Sequence, residues 1–154
     1  MIDEILKNNE GKCFDETPVM QGAAADLDWE VIKKLFHQAD KQITANNAQS
    51  IGLTVQQGTR EVPTFGGTIL FGIDRLKLFP EAIIRCARFL GIDKEIILDK
   101  ADIETYLPLA MEEAIKFVQR NTRVRSEIKT LVRKDIPEYP LIALREAIMN
   151  AIVH

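Results

Sequence analysis

Glu146, Asn150 and His154 recur every four residues in the stretch "EYPLIALREAIMNAIVH" that closes the sequence. On a helix this spacing stacks the three on one face, so a carboxylate and an amide reach one small volume. The wet face of an ordinary surface helix displays the same residue types, and that reading stands beside the chemical one. A second constellation lies just upstream. Residues 120–134 hold six bases (Arg120, Arg123, Arg125, Lys129, Arg133 and Lys134) against the single acid Glu127. Clustered Lys and Arg on an exposed face are what contacts to nucleic-acid phosphates require. The candidates are Arg123, Arg125, Lys129 and Arg133. No aromatic residue interleaves them, so stacking on single strands is not indicated. A solvated sheet face, or docking to the acidic N-terminal half, whose first forty residues hold nine acids and four bases, would show the same charges.

The elements that must carry these residues follow from periodicity and punctuation. A helix is expected from about Asp28, with Asp26 or Asp28 as N-cap and an apolar stripe of Trp29, Ile32, Leu35, Phe36, Ala39 and Ile43. "TANNAQSIGL" then breaks and redirects the chain. In "TREVPTFGGTILFGI", the Gly66-Gly67-Thr68 stretch reads as a tight turn before a buried strand, Thr68 to Ile73. It lacks the Lys of a phosphate-binding loop. "FPEAIIRCARFLG" is open between a helix, which Pro80 and Glu81 could start, and a strand, which Ile84, Cys86 and the flanking glycine suit; the strand is preferred. "KEIILDKADI" reads as a further strand. A helix from Thr105, as N-cap, to about Asn121 carries Ala110, Met111, Ala114, Ile115 and Val118 inward, with Pro108 tolerated in its first turn. "VRSEIKTLVRK" alternates as one half-exposed strand, placing Arg125, Lys129 and Arg133 on a common side. "DIPEYP" leads stiffly into a last helix from Ile142, which has no stop signal. The order predicts an α+β fold, mainly antiparallel sheet flanked by helices, with the C-terminal helix truncated.

The bulk properties bound the rest. The chain has 154 residues, 46% of them apolar and 28% charged, with a net charge of −3. That is the composition of a soluble globular protein long enough to bury a core. No apolar run reaches membrane-spanning length and the first residues are too charged for a signal peptide, so the cytoplasm is the expected compartment. Cys13 and Cys86 lack the partners of a metal site or a disulfide framework, and reduced thiols are expected. His37 reads as solvated and Trp29 as a core anchor.

Three ordered stretches, "IGLTVQQGTREVPTFGGTILFG", "LFPEAIIRCARFLG" and "PEYPLIALREAIMNAIVH", together resemble one family. It comprises bacterial transcriptional regulators of the RecG-related helicase group, which carry an AlbA-type, Schlafen-like DNA-binding domain ahead of a divergent ATPase-like region. The resemblance covers about Phe14 to His154. It implies that this chain is a middle piece. Residues 1–26 would be a linker from a preceding DNA-binding domain, 27–135 an α+β middle domain, and 136–154 the opening helix of the ATPase-like region. That region is similar to the GHKL ATPases, whose first motif is Glu-x-x-x-Asn-Ala, here Glu146, Asn150 and Ala151. The resemblance implies that Glu146 is the general base toward the attacking water. Asn150 would bind Mg²⁺ through its amide oxygen, and small Ala151 would permit close approach. Val153 and His154 depart from the acidic residues often found after that Asn. The glycine boxes and the adenine-reading Asp of that fold would lie downstream.

The reading is a fragment of a DNA-associated, nucleotide-linked regulator. The fragment alone is expected to be inactive and to hold no metal or cofactor, while ATP and Mg²⁺ belong to the full protein. The rival is a scaffold or dimerisation module without DNA or nucleotide affinity. Self-association is expected through the last helix, whose apolar face of Leu141, Leu144, Ile148 and Ile152 needs a cover, with contacts at Ile148, Ile152 or Val153.

Overall fold

The computed structural model describes residues 13–129 and 132–153. The fold is α+β, and every sheet among the described residues is a two-stranded antiparallel hairpin. The chain divides into two compact units between Ala82 and Ile83. That boundary lies inside residues 27–135, the span expected to be one middle domain. Two separate apolar clusters underlie the division, with no residue in common.

In the first unit, helix α1 (Trp29–Gln38) starts where expected, because the Asp28 side chain accepts the Val31 N–H at 3.1 Å. A carboxylate at that end also offsets the helix dipole. Ile32 is fully buried with Leu27, Ala48, Leu53 and Phe71, while Trp29, Leu35, Phe36 and Ile43 pack around them. Ala39 is exposed, beyond the helix end. His37 is exposed, as expected.

The segment expected to redirect the chain is instead a short helix, α2 (Ala45–Ser50). Thr44 and Asn47 cap it reciprocally: the Thr44 N–H reaches Asn47 Oδ1 at 2.5 Å and the Asn47 N–H reaches Thr44 Oγ1 at 3.4 Å. Strands β1 (Thr54–Gln57) and β2 (Arg60–Pro63) form a hairpin, pairing Gln57 with Arg60. Gly58, at φ +59°, takes the first of its two loop positions, as a type II′ turn requires.

The largest departure from the expected elements comes next. Phe65–Phe71 is a helix, α3, and the buried strand from Thr68 to Ile73 does not exist. Thr64 decides this: its Oγ1 accepts the Gly67 N–H at 2.9 Å, and its carbonyl accepts the Thr68 hydroxyl at 2.8 Å. Gly66 and Gly67 are therefore the first turn of a helix rather than a tight turn before a strand. The chain continues through α4 (Arg75–Leu78). Residues 13–26, read as linker, are tied to this unit. Pro18 bridges to Thr64, the Val19 N–H bonds to the Pro63 carbonyl at 2.8 Å, and Phe14 lies 5.1 Å from Phe65 between ring centroids.

In the second unit, β3 (Ile84–Phe89) and β4 (Ile97–Ile103) are the two strands expected, paired with Cys86 opposite Ala101. Helix α5 (Leu107–Asn121) begins one residue later than expected, capped at Tyr106 rather than Thr105, with Pro108 in its first turn. Ala110 and Ala114 are buried against Ile103, and Ile84, Cys86 and Ala101 close around them. The alternating run after α5 is a ribbon of two strands, β5 (Val124–Lys129) and β6 (Val132–Pro137), not the single strand expected. Residues 130 and 131 lie outside the described residues. The last helix, α6 (Leu141–Val153), packs on α5, with Ile148 against the Ala110–Ala114 cluster. No helix among the described residues is long and apolar enough to cross a membrane.

Candidate functional site

Helix α6 positions the first constellation. It opens directly after Pro140, whose carbonyl accepts the Leu144 N–H at 3.1 Å. Leu144, Ile148 and Ile152 are half-buried, and Arg145 clamps the helix to α5 through Glu112 at 2.7 and 3.1 Å. The apolar stripe expected to stand bare is thus largely seated on its own unit. Glu146, Asn150 and Ala151 are exposed on the outward side. One helical turn separates the carboxylate from the amide, so the structure brings those two together. The side chain of Val153 and all of His154 lie outside the described residues. Ile142 and Met149 share the outward side and are 81% and 50% exposed. The seven-residue spacing aligns them, and Glu146 falls between them.

The second constellation starts from a different geometry than its charge count suggests. Arg120 is engaged: its Nε donates to Asp99 Oδ2 at 3.0 Å, and its guanidinium lies 4.6 Å over the Phe117 ring. Asn121 Nδ2 donates to the same carboxylate oxygen at 2.7 Å. The hydrogen bond from Arg120, and then that from Asn121, holds the Asp99 carboxyl below its ordinary range. A lowered carboxyl pKa contributes stability above the unfolded-state value, and that contribution fades as pH falls through the folded one. The Cys86 thiol on the neighbouring strand is pushed up by burial, against the pull of the nearby Arg120 charge.

Arg123 is exposed and begins the ribbon. Its N–H donates to Glu138 Oε2 at 3.0 Å and its carbonyl accepts the Glu138 N–H at 3.0 Å. The backbones of Arg125, Lys129 and Arg133 lie in β5 and β6, and their side chains are outside the described ones. The register pairs Arg125 with Ile136, Glu127 with Lys134, Ile128 with Arg133 and Lys129 with Val132. Paired residues share a face and successive residues alternate, so Arg125 and Lys129 occupy one face and Arg133 the other. A single strand would have aligned all three. The reversal between Lys129 and Val132 separates them.

Sequence reasoning did not find a cleft of about 470 Å³ in the first unit, lined by Asp15, Glu16, Gln49, Ser50, Thr54 and Leu70 among others. Its hydroxyl and amide groups are already spent on the protein. Thr54 Oγ1 donates to Glu61 at 2.6 Å, Gln49 Nε2 to the same oxygen at 3.2 Å, and Thr64 Oγ1 to the Gly52 carbonyl at 2.5 Å. These bonds fasten α2 and the β1–β2 hairpin to the start of α3. Among the described residues, no three His, Cys, Asp or Glu side chains converge as a metal site would need. Comparison of the chain with protein-family models, with curated proteins and with solved structures finds no match.

Proposed function

We propose that this chain is part of a RecG-related, Schlafen-like bacterial transcriptional regulator and supplies the first helix of a GHKL-like nucleotide site. The observation that carries the reading is the disposition of α6. One side is held on α5 by Ile148 and the Arg145–Glu112 pair, while the other presents Glu146 and Asn150 together to solvent. A helix fixed on one side and displaying a carboxylate and an amide one turn apart suits a general base paired with a hard-cation ligand. In this reading Asn150 would hold Mg²⁺ through its amide oxygen, Glu146 would take the proton of the attacking water, and Ala151 would leave room for the nucleotide. Other residues of the full protein enclose the phosphates. The 154-residue chain is therefore expected to hydrolyse no ATP above a buffer control. The full-length regulator is expected to bind Mg-ATP and to lose that binding about tenfold or more on Asn150→Ala. Glu146→Ala should retain binding and lose turnover by about 10²-fold or more. Equal nucleotide affinity in wild type and Asn150→Ala by calorimetry would dismiss the site.

Ile142 and Met149 favour a second reading, a dimerisation module. Two large apolar side chains aligned on an exposed helix face form a ready contact. That face differs from the Ile148 and Ile152 contact expected from sequence, because Ile148 is occupied within its own chain. Sedimentation at high concentration is expected to show a dimer that Ile142→Asp with Met149→Asp dissociates. A strict monomer in both proteins would remove this reading.

A further inference from the structure

The β5–β6 ribbon has two electrostatically unequal faces, a consequence of its register. On one face stand Arg125, Glu127 and Lys129 from β5, with Val132, Lys134 and Ile136 from β6. Glu127 is opposite Lys134, so that pair is neutral across the ladder. Arg125 and Lys129 are opposite Ile136 and Val132, and no acid opposes either in the register. The backbone hydrogen bond from Glu138 to Arg123 continues the ladder, adding one further base and one further acid to this face. The face therefore holds four bases against two acids. On the other face the charged positions in the paired register are Arg133 and Asp135, among the described residues, which cancel and stand two residues apart on one strand.

We infer that the ribbon binds duplex nucleic acid through one face only, that of Arg125 and Lys129, with Arg133 on the idle face. The inference rests on the proposed regulator reading, for which the family resemblance implies DNA association, and assigns the surface that association requires. From Arg123 to Lys129 the strand extends roughly 20 Å. A duplex carries about one phosphate per 1.7 Å of axis, so a row of bases of that length always lies within reach of several. A two-stranded antiparallel ribbon is also a shape that the major groove admits. The charged face has no aromatic residue, which directs the choice to duplex rather than to stacked single strands.

The test is fluorescence anisotropy of a labelled mixed-sequence duplex with the whole chain, between about 50 and 200 mM salt. Arg125→Ala and Lys129→Ala are each expected to lower the log–log salt slope by about 0.9. If the salt lines meet at 1 M, that slope corresponds to about eightfold weaker binding at 0.1 M. Arg133→Ala removes the same charge from the same ribbon and is expected to change neither quantity. Arg125→Lys, which keeps the charge, is expected to keep the slope, and far-UV circular dichroism identifies any variant that has lost its fold. Equal losses at Arg133 and Arg125 would overturn the sidedness and leave DNA association standing. Absence of duplex binding by wild type at the lowest salt would overturn both, as would binding only to vesicles containing phosphatidylserine. Binding unaffected by all three alanine variants would place the interface elsewhere and overturn the inference.

Discussion

Gly67→Ala will destabilise the protein by about 3 kcal/mol or more, an effect at the upper end for a single methyl group. A Cβ at Gly67 would stand 2.1 Å from the Leu53 carbonyl oxygen, 2.9 Å from its carbon and 3.0 Å from its Cα. These are backbone atoms at the entry to β1, so no side-chain rotation relieves the clash. The same carbonyl accepts the Thr64 N–H at 3.1 Å, and Thr64 caps α3 through the Gly67 N–H. Moving α3 away from Leu53 therefore strains the cap and the contact together. Urea unfolding is expected to show a lower midpoint with an unchanged slope. Gly58→Ala is the control. That site has φ +59° and no neighbouring atom within 4 Å, so it costs only the left-handed backbone penalty, about 1–2 kcal/mol. Equal midpoints for Gly67→Ala and wild type would show that α3 does not approach β1 as described.

Ile32→Ala is the second large effect. Ile32 is 0% exposed and joins Leu27, Ala48, Leu53 and Phe71 in the core of the first unit. Removing three carbons there costs the transfer free energy and leaves a cavity, in total about 2–5 kcal/mol. Ile32→Val deletes one methylene and is expected to cost about 0.5–1.5 kcal/mol. The ordering of the two in thermal unfolding checks the assignment. Were Ile32→Ala as stable as Ile32→Val, α1 would not supply the centre of this cluster.

What could be read in the sequence followed how local the deciding interactions are. Asp28 was recognisable beside Asp26 as a cap because its partner lies three residues on, and β4 by its apolar run bounded by charge, while the β3 segment stays open between helix and strand because Pro80 and Glu81 could also start a helix. Helix α2 was hidden by an unusual box partner, Asn47, in a segment that otherwise resembles a turn. Helix α3 was hidden more deeply. "GTILFG" has the β-branched and glycine-bounded look of a strand, and its helicity depends on Thr64 and on the approach to Leu53, fourteen residues before Gly67. The ribbon looks like one strand in the sequence because positions 130 and 131, Thr and Leu, carry none of the usual turn residues. That one unread reversal decides which face Arg133 occupies. The Glu146–Asn150 pair was legible because helical spacing alone sets it. The half-buried seat of Ile148 was not, since it depends on the small residues Ala110 and Ala114 of another helix.

Helix α6 is apolar on two sides, and Glu146 and Asn150 share the outward strip with Ile142 and Met149. Hydration of the polar pair and coverage of the apolar pair are therefore one variable. Any body that closes over Ile142 and Met149 also removes water from around the carboxylate and the amide. Under the nucleotide-site reading proposed above, a cation held there would meet a lower dielectric, and the free energy of docking would be linked to that of ion binding. In that reading, cover and cation would change each other's affinity by the same factor in both directions.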